Sequence, residues 1–300
     1  MDIRPNFFIV GGPKCGTTAM VEYLRTHPDI FISEPKEPNY FSDNLPETKY
    51  VDSLSEYLNL FKKATNFKIK GDASVFSMFS KVAIKNIYKS NSKAKLLIML
   101  RNPIKMVPSY HLQIQYTLEE DVEDLCVVLG LERERELGNK IPKNSKCSKL
   151  LRYSEIAKYG EQLENVYKYF PKNQVKVILF DEFIKSNRNT YREVLNFLDI
   201  EDDGRRDFPK INEAKKAKSI FISKIVNRPP KFAKVLAKIA RRILNKPRLG
   251  LLSALDCANR EVTEKKHITI KEKNMLLEIY TKDIKKTEEI LNQDLSSWLA

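Results

Sequence analysis

An eight-residue segment near the start of the chain has the composition of an anion-binding turn. It follows the apolar run Phe7–Val10 and reads Gly-Gly-Pro-Lys-Cys-Gly-Thr-Thr at positions 11–18. A strand that ends in a glycine-containing turn and enters a helix directs backbone N–H groups at a ligand, and the helix dipole adds partial positive charge. Lys14 supplies a full charge, and two threonines supply hydroxyls. The segment predicts a site for a phosphate-like group; an ordinary strand-to-helix connection is the simpler alternative.

The end of this turn differs from the P-loop of ATP- and GTP-binding enzymes, G-x-x-x-x-G-K-[ST]. Gly11 and Gly16 have the P-loop spacing, but Thr17 stands where the lysine would be, and the lysine here is Lys14, inside the turn. In a P-loop, the hydroxyl that holds magnesium follows that lysine. The turn therefore predicts binding of a phosphate-like group without the usual metal arrangement.

A second candidate anion site follows another apolar run. Arg101 comes directly after Leu96–Leu100, and Ser109 lies eight residues further on. A helix that starts at Pro103, as proline favours, would place Ser109 within two turns, although Pro108 would kink that helix. A guanidinium fork with a hydroxyl suits a phosphate monoester. Two phosphate sites at one sheet edge predict a nucleotide that is phosphorylated at two positions.

The elements that position these residues alternate between strand and helix. Short apolar runs predict strands, and amphipathic stretches between them predict helices. This alternation indicates an α/β fold with a mainly parallel sheet flanked by helices, in which ligands bind beyond the carboxyl ends of the strands. The predicted strands are Phe7–Val10, Lys68–Gly71, Leu96–Leu100 and Val175–Phe180, and the predicted helices are Thr17–Thr26, Ser80–Tyr88 and Tyr153–Phe170.

Two regions have a different pattern. Leu118–Lys149 begins acidic and ends basic, which favours a helix followed by a mobile loop. Residues 117–150 are either a lid over the site or an exposed insertion. From Ser219 to residue 300 the pattern predicts a helical C-terminal region. Its stretch Lys231–Lys246 is basic and amphipathic, so it could cover a core or lie on a membrane.

Composition and charge narrow the classes of protein. The 300 residues suit one large domain spanning 1–300, and the net charge of +14 favours anionic partners. The four scattered cysteines do not form the C-x-x-C pairs of zinc sites. No apolar run is long enough to span a bilayer or to form a signal peptide. We therefore expect a soluble, cytoplasmic, reduced protein of undetermined oligomeric state, and no bound metal.

The chain resembles the sulfotransferases that use 3′-phosphoadenosine 5′-phosphosulfate (PAPS). The similar segments occur in the same order: residues 12–18, 27–29, 34–41, 71–74, 101–103 with Ser109, 159–163, 180–183 and 279–299. The likeness covers most of the chain, is weakest at 117–150 and 205–265, and is closer to the bacterial and heparan-type branch than to the cytosolic phenol and steroid branch. It implies the P-loop-like sulfotransferase fold.

The resemblance also implies roles for the two anion sites. The 5′-phosphosulfate would be bound by the turn, Gly12, Pro13, Lys14, Cys15, Gly16, Thr17 and Thr18, and the 3′-phosphate by Arg101 and Ser109. Sulfuryl transfer needs in-line placement and charge stabilisation, as phosphoryl transfer does. Lys14 would stabilise the leaving phosphate oxygen mainly in the transition state. The sulfuryl group carries less charge than a phosphoryl group, so no metal is required.

The base that removes the acceptor proton is implied by the same likeness. Glu37 aligns with the catalytic glutamate of the heparan-type branch. Glu34 is expected to brace the turn, and Asp72 is either an alternative base or a structural cap. Asn39 and Ala73 stand where that branch often has a histidine and a lysine. The acceptor is therefore predicted only as a hydroxyl or amine of a small molecule or saccharide.

Two other functions compete with sulfuryl transfer. A P-loop nucleoside or small-molecule kinase would need a G-K-[ST] ending, which residues 16–18 lack. A non-enzymatic basic module for nucleic acid or an anionic membrane would bind with strong salt dependence, but the chain carries no nucleic-acid motif, and we expect no nucleic-acid partner. Cys15 has two interpretations: a thiol with a lowered pKa in an electropositive turn, or a small side chain that fills the turn.

Overall fold

The structure, a computed structural model, describes residues 3–209, 215–217, 260–262 and 268–300. Its centre is a five-stranded sheet in the order β2-β3-β1-β4-β5, in which every pairing is parallel. The strands are β1 (Phe7–Gly11), β2 (Ile30–Ile32), β3 (Ile69–Asp72), β4 (Lys95–Leu100) and β5 (Val175–Leu179).

The strands form because nearly continuous apolar runs can be buried on both faces of a parallel sheet. Phe7 to Val10 are at most 2% exposed, and Leu96 to Leu100 are fully buried. The four predicted strands are confirmed with shifts of one residue at some ends. Phe180 begins a helix instead of ending a strand, and Asp72 lies within β3, where it pairs with Phe8 of β1. The short strand β2 was not predicted.

Helices cover the sheet, and most of them are short. The helices before β4 are α1 (Thr17–Arg25), α2 (Leu54–Asn59) and α3 (Ala83–Ser90). Those between β4 and β5 are α4 (Pro103–Tyr116), α5 (Leu125–Gly130), α6 (Glu132–Glu136), α7 (Tyr153–Ile156) and α8 (Tyr159–Tyr167). After β5 come α9 (Phe180–Lys185), α10 (Asn187–Leu198) and α11 (Ile270–Leu291). The predictions of an α/β fold flanked by helices and of a helix starting at Pro103 are confirmed.

The predicted helical segment Tyr153–Phe170 is divided into two helices, α7 and α8. A carboxylate from α11 sets the second start. Asp283 accepts hydrogen bonds from the backbone N–H groups of Gly160 (2.9 Å) and Glu161 (3.1 Å) at the beginning of α8. A Cβ on Gly160 would lie about 3 Å from Asp283 and Lys286. Glycine therefore permits the close approach of α8 and α11.

Helix α4 continues through Pro108 instead of ending there. Its start is well defined, because Asn102 is the N-cap residue and its Oδ1 accepts a hydrogen bond from the N–H of Ile104 at 2.9 Å. Proline removes one backbone donor, but α4 buries Met106, Val107 and Tyr110 around that position. Packing of this face offsets the loss and keeps Ser109 on the helix.

The segment 117–150 contains two short helices, so the predicted helix from Leu118 is wrong. Helix α5 starts at Leu125, because the Asp124 carboxylate accepts the N–H groups of Cys126 (2.7 Å) and Val127 (3.1 Å). The acidic stretch before it contains the buried Glu120, which pairs with Arg135 at 2.7 and 2.9 Å. This pair joins two parts of the segment, and the hydroxyl of Tyr153 on α7 also donates to Glu120 at 2.9 Å, which links the segment to the rest of the protein. Its role as a lid stays a prediction.

The C-terminal part is not all-helical as predicted. Two short strands, β6 (Lys215–Ala217) and β7 (Arg260–Val262), pair antiparallel, which corrects the prediction for 219–300. The predicted amphipathic stretch Lys231–Lys246 lies outside the described residues. Helix α11 is confirmed as helical and begins with a capping box of Thr269 and Glu272. Among the described helices, none is both long and apolar enough to cross a membrane.

Candidate active site

The glycine-containing turn lies at the carboxyl edge of the sheet, between β1 and α1. The N–H of Gly12 donates a hydrogen bond to the carbonyl of Met99 (2.7 Å), which holds the turn against β4. Gly16 is the N-cap residue of α1 with φ 85°. A Cβ there would also lie 3.1 Å from the rings of Phe180 and Phe183. The positive φ and the nearby rings therefore both require glycine at position 16. The turn leads directly into the N-terminus of α1, where backbone N–H groups favour an anion.

Arg101, from the second predicted anion site, contacts the turn at this edge. Nη1 of Arg101 donates a hydrogen bond to the backbone carbonyl of Lys14 at 3.2 Å. The guanidinium group lies 4.8 Å from the ring centroid of Phe180, an interaction that the sequence did not predict. Burial lowers the pKa of Arg101. The structure therefore brings Arg101 into contact with the turn that carries Lys14.

The C-terminal tail supports the short connection between β4 and α4, which contains Arg101. The side-chain amide of Asn102 donates to the carbonyl of Trp298 (3.3 Å), while its oxygen caps α4. The Trp298 ring packs edge-on against Tyr159 at 6.3 Å between centroids. Ser109 is half-buried and lies on α4, the helix that follows this connection. The C-terminal tail thus holds the start of α4 through Asn102, and Tyr159 packs against that tail.

Cys15 fills the inside of the turn. Its side chain is fully buried; its thiol donates to the carbonyl of Pro13 (3.2 Å) and lies 3.7 Å from the hydroxyl of Tyr159. Burial raises the pKa of the Cys15 thiol to about 12. The interpretation in which the turn lowers this pKa is therefore wrong, and the packing interpretation agrees with the structure.

The segment that carries Glu37 is held by backbone hydrogen bonds from distant parts of the chain. The carbonyl of Lys36 accepts from the N–H of Ala73 (3.3 Å), and the carbonyl of Pro38 accepts from the N–H of Tyr50 (3.0 Å). The N–H of Asn39 donates to the hydroxyl of Ser74 at 2.9 Å. These bonds fix the backbone on both sides of Glu37.

Lys36 connects this segment to the turn. Its Nζ donates to Oγ1 of Thr17 (3.3 Å), to Oγ1 of Thr18 (3.4 Å) and to Oε1 of Glu37 (3.1 Å). The structure thus brings Glu37 to the same edge as Thr17 and Thr18. The sequence analysis assigned no role to Lys36. Its position directly before the candidate base Glu37 is the feature that could have indicated one, because Ala73 replaces the lysine expected elsewhere in the site.

Asp72 has the contacts of a structural residue. Its Oδ2 accepts from the hydroxyl of Tyr57 (2.8 Å), and its Oδ1 accepts from the N–H (2.9 Å) and the hydroxyl (2.6 Å) of Ser74. Burial raises the pKa of the Asp72 carboxyl group to about 6, and hydrogen bonds from Ser74 and Tyr57 oppose that increase. This arrangement favours the role of a structural cap that orients Ser74, and through it the backbone of Asn39.

The remaining candidates do not add to the site. Glu34 is exposed and lies 3.8 Å from Arg25; its role as a brace of the turn stays a prediction. Within residues 3–209 and the other described ranges, no group of three or more histidine, cysteine or acidic side chains is arranged to hold a metal ion. Metal-free transfer stays a prediction.

The class of protein follows from the fold, the turn and a family comparison. A family model described as the sulfotransferase domain matches residues 4–219. The chain therefore belongs to the sulfotransferase domain family, as its resemblance predicted. A kinase finds no support in this comparison.

One solved structure has a similar fold, and two curated proteins are similar in sequence. The crystal structure of a sulfotransferase from Alicyclobacillus acidocaldarius is similar, with a TM-score of 0.72 and 24% sequence identity over 99% of both chains. The membrane-associated sulfotransferase kil1 of Dictyostelium discoideum is 23% identical over 270 residues, 65% of this chain and 56% of that protein. Heparan sulfate glucosamine 3-O-sulfotransferase 5 of Homo sapiens is 27% identical over 202 residues, 65% of this chain and 54% of that protein. The chain spans about half the length of these curated relatives.

Proposed function

We propose that this chain is a sulfotransferase that moves a sulfuryl group from PAPS to a hydroxyl or amine of a saccharide or other small molecule and releases 3′,5′-ADP (PAP). The observation that carries the proposal is the contact between Arg101 and the carbonyl of Lys14 at 3.2 Å. It joins the Arg101 guanidinium group, which follows β4, to the backbone of the turn that follows β1, and this supports a donor that carries phosphates at two positions of its ribose. Membership of the sulfotransferase domain family supports this assignment.

The residues of the turn fit the phosphosulfate end of PAPS. The positive φ of Gly16 and the start of α1 at Thr17 form the helix-terminal geometry that binds phosphate. The hydroxyls of Thr17 and Thr18 add donors at the same place. Arg101 and Ser109 bind the 3′-phosphate, where a guanidinium group can form two parallel hydrogen bonds. PAPS supplies the sulfuryl group and a phosphate leaving group.

The proposed reaction is a single in-line transfer. Glu37 accepts the proton of the acceptor hydroxyl or amine as its oxygen or nitrogen attacks sulfur. The electron pair of the breaking S–O bond moves to the bridging phosphate oxygen, where Lys14 neutralises the growing charge. Charge stabilisation of this kind acts mainly in the transition state and therefore raises turnover.

The similar proteins support a saccharide acceptor, but the residues near Glu37 do not favour heparan sulfate. Carbohydrate sulfotransferase 15 and the heparan sulfate glucosamine 3-O-sulfotransferases are among the proteins similar to this chain. Asn39 and Ala73 depart from the heparan-type pattern on the same side of the site as Glu37. We therefore propose a polar acceptor with a hydroxyl or amine group, different from heparan in shape or charge.

Two measurements test the function. Calorimetric titration with PAP and with ATP–Mg should show tighter binding of PAP, because only PAP carries a 3′-phosphate. Incubation with ³⁵S-labelled PAPS and a panel of saccharides, phenols, alkaloids and peptides should label one class of acceptor. Tighter binding of ATP–Mg, or binding of PAP that depends on salt but not on the 3′-phosphate, would contradict the proposal.

A further inference from the structure

The ammonium group of Lys36 lies between the proposed donor turn and the proposed base. A lysine ammonium has three N–H donors and no acceptor. In this structure it has three oxygen partners: Oγ1 of Thr17 at 3.3 Å, Oγ1 of Thr18 at 3.4 Å and Oε1 of Glu37 at 3.1 Å. The number of partners equals the number of donors, so each N–H has a defined direction.

This arrangement has a consequence for the two threonines. A hydroxyl that accepts a hydrogen bond from a cation keeps its own O–H to donate elsewhere, and the adjacent charge makes it a stronger donor. Thr17 and Thr18 are the first two residues of α1, where an anion is favoured. Lys36 therefore orients both hydroxyls as donors toward an anion held by the turn, instead of as acceptors.

The position of this ammonium group is fixed by the fold. The backbone carbonyl of Lys36 accepts a hydrogen bond from Ala73, directly after β3. The side chain then reaches α1, which is 18 to 19 residues away in the sequence, and it is only 18% exposed. A simple pair of neighbouring surface charges, Lys36 with Glu37, would not require contacts with α1, and such pairs contribute at most about 1 kcal/mol.

We propose that Lys36 is a positioning residue that joins donor binding to proton acceptance through one cation. It presents the hydroxyls of Thr17 and Thr18 to the 5′-phosphate of the donor, and it holds the carboxylate of Glu37 beside them. The inference rests on the proposed function. The heparan-type branch often has a lysine where this chain has Ala73. The inference assigns to Lys36 the positive charge that is missing there on the acceptor side.

The test measures PAP binding and turnover in Lys36→Met, which keeps the length of the side chain and removes its charge. We expect the Kd for PAP to rise about tenfold, the size of one charge-assisted hydrogen bond. The value of kcat should fall further, about 10- to 100-fold, because Glu37 also loses its partner. Lys36→Arg should recover part of the PAP affinity, since it retains the charge and several donors. The matched control is Lys68→Met, which removes an exposed lysine that pairs with Asp29 at 2.9 Å and should change neither value.

A double-mutant cycle separates an orienting role from a general loss of charge. Thr18→Val removes one partner of Lys36, so the combined effect of Lys36→Met and Thr18→Val on the Kd for PAP should be smaller than the product of the single effects. If Lys36→Met fails to fold in a thermal melt, the cycle uses Lys36→Gln, which removes the charge but keeps a polar side chain, and the same non-additivity is expected.

The outcomes distinguish this inference from the proposed function. If wild-type protein binds PAP and transfers sulfate while Lys36→Met behaves like Lys68→Met, the inference is wrong and the function stands. Independent effects of the Lys36 and Thr18 changes would also overturn it. If wild-type protein neither binds PAP nor transfers sulfate, the proposed function fails and the inference fails with it.

Discussion

The proposed donor side and the proposed acceptor side of the site are built in different ways. On the donor side, the turn of residues 12–18 and Arg101 both follow parallel strands, so the sheet brings them to one edge. On the acceptor side, the backbone around Glu37 is held by residues distant in sequence, among them Ser74 and Tyr50. Donor chemistry therefore depends on local geometry at strand ends, and acceptor chemistry depends on tertiary contacts.

This difference explains where the chain departs from the heparan-type pattern. Both departures, Asn39 and Ala73, lie on the acceptor side, and both take part in its hydrogen bonds. Ala73 donates through its backbone to Lys36, and the side-chain amide of Asn39 donates to the carbonyl of Thr48 at 3.2 Å. A change of side chain at either position can alter the acceptor surface while the donor turn keeps its geometry. A shared donor and a different acceptor are the expected result.

The largest effect is expected at the proposed base. Glu37→Gln keeps the shape of the side chain and removes its ability to accept a proton, so kcat should fall about 100- to 10,000-fold. The Kd for PAP, measured by calorimetry, should change little, because the donor side is intact. The control is Glu34→Gln, which changes an exposed carboxylate near Arg25 and should leave kcat unchanged. If Asp72→Asn abolishes transfer while Glu37→Gln retains it, the base is misassigned.

The second prediction concerns the charge on the donor side. Lys14→Ala should lower kcat about 100- to 1,000-fold, the typical loss when one group that stabilises a transition-state oxyanion is removed. Binding of PAP should be largely retained, since the charge that Lys14 neutralises develops only during transfer. Single-turnover assays with labelled PAPS, in parallel with PAP titrations, measure the two quantities separately. Turnover close to wild type would contradict the role of Lys14.

The third prediction uses the buried Asp72 to test the structure of the acceptor side. Its pKa is raised from 3.8 to about 6, so the folded protein binds this proton more tightly than the unfolded chain. The stabilisation from the protonated carboxyl group is fully present below pH 3.8 and is lost as the pH rises through about 6. Asparagine at position 72 does not titrate. Between pH 4 and pH 7, the unfolding free energy of Asp72→Asn should therefore rise relative to that of the wild type by on the order of 3 kcal/mol. Urea unfolding at several pH values measures it; a difference that is constant over this range would contradict the role of burial.

The features that could be predicted from the sequence are those with a local cause. The runs Phe7–Val10 and Leu96–Leu100 were recognisable as strands because a strand buried on both faces is almost entirely apolar. The meeting of Lys14 with Arg101 followed from their places directly after those two strands. The start of α4 followed from Pro103. Family roles for these residues came from the resemblance and not from the pattern alone.

The features that could not be predicted depend on contacts between distant residues. The break between α7 and α8 is set by Asp283, more than 120 residues further along the chain. Strand β2 has only three residues and forms by pairing with β3. Lys36 is marked in the sequence only by its place directly before Glu37, and its contacts with Thr17 and Thr18 are formed by the fold. No periodicity or local motif carries this information.

The smallest effect is expected for Arg101, and its test can separate two roles of one guanidinium group. Arg101→Ala should weaken PAP binding by about 1.5–3 kcal/mol, the range for hydrogen bonds to charged groups, which corresponds to about 10- to 150-fold in Kd. Binding of adenosine 5′-phosphate, which lacks the 3′-phosphate, should change much less. Arg101→Lys should fall between wild type and alanine, because it keeps the charge but loses the planar fork that stacks on Phe180. Equal losses for both nucleotides would show that Arg101 acts only by holding the carbonyl of Lys14, and the donor side would then have one phosphate site instead of two.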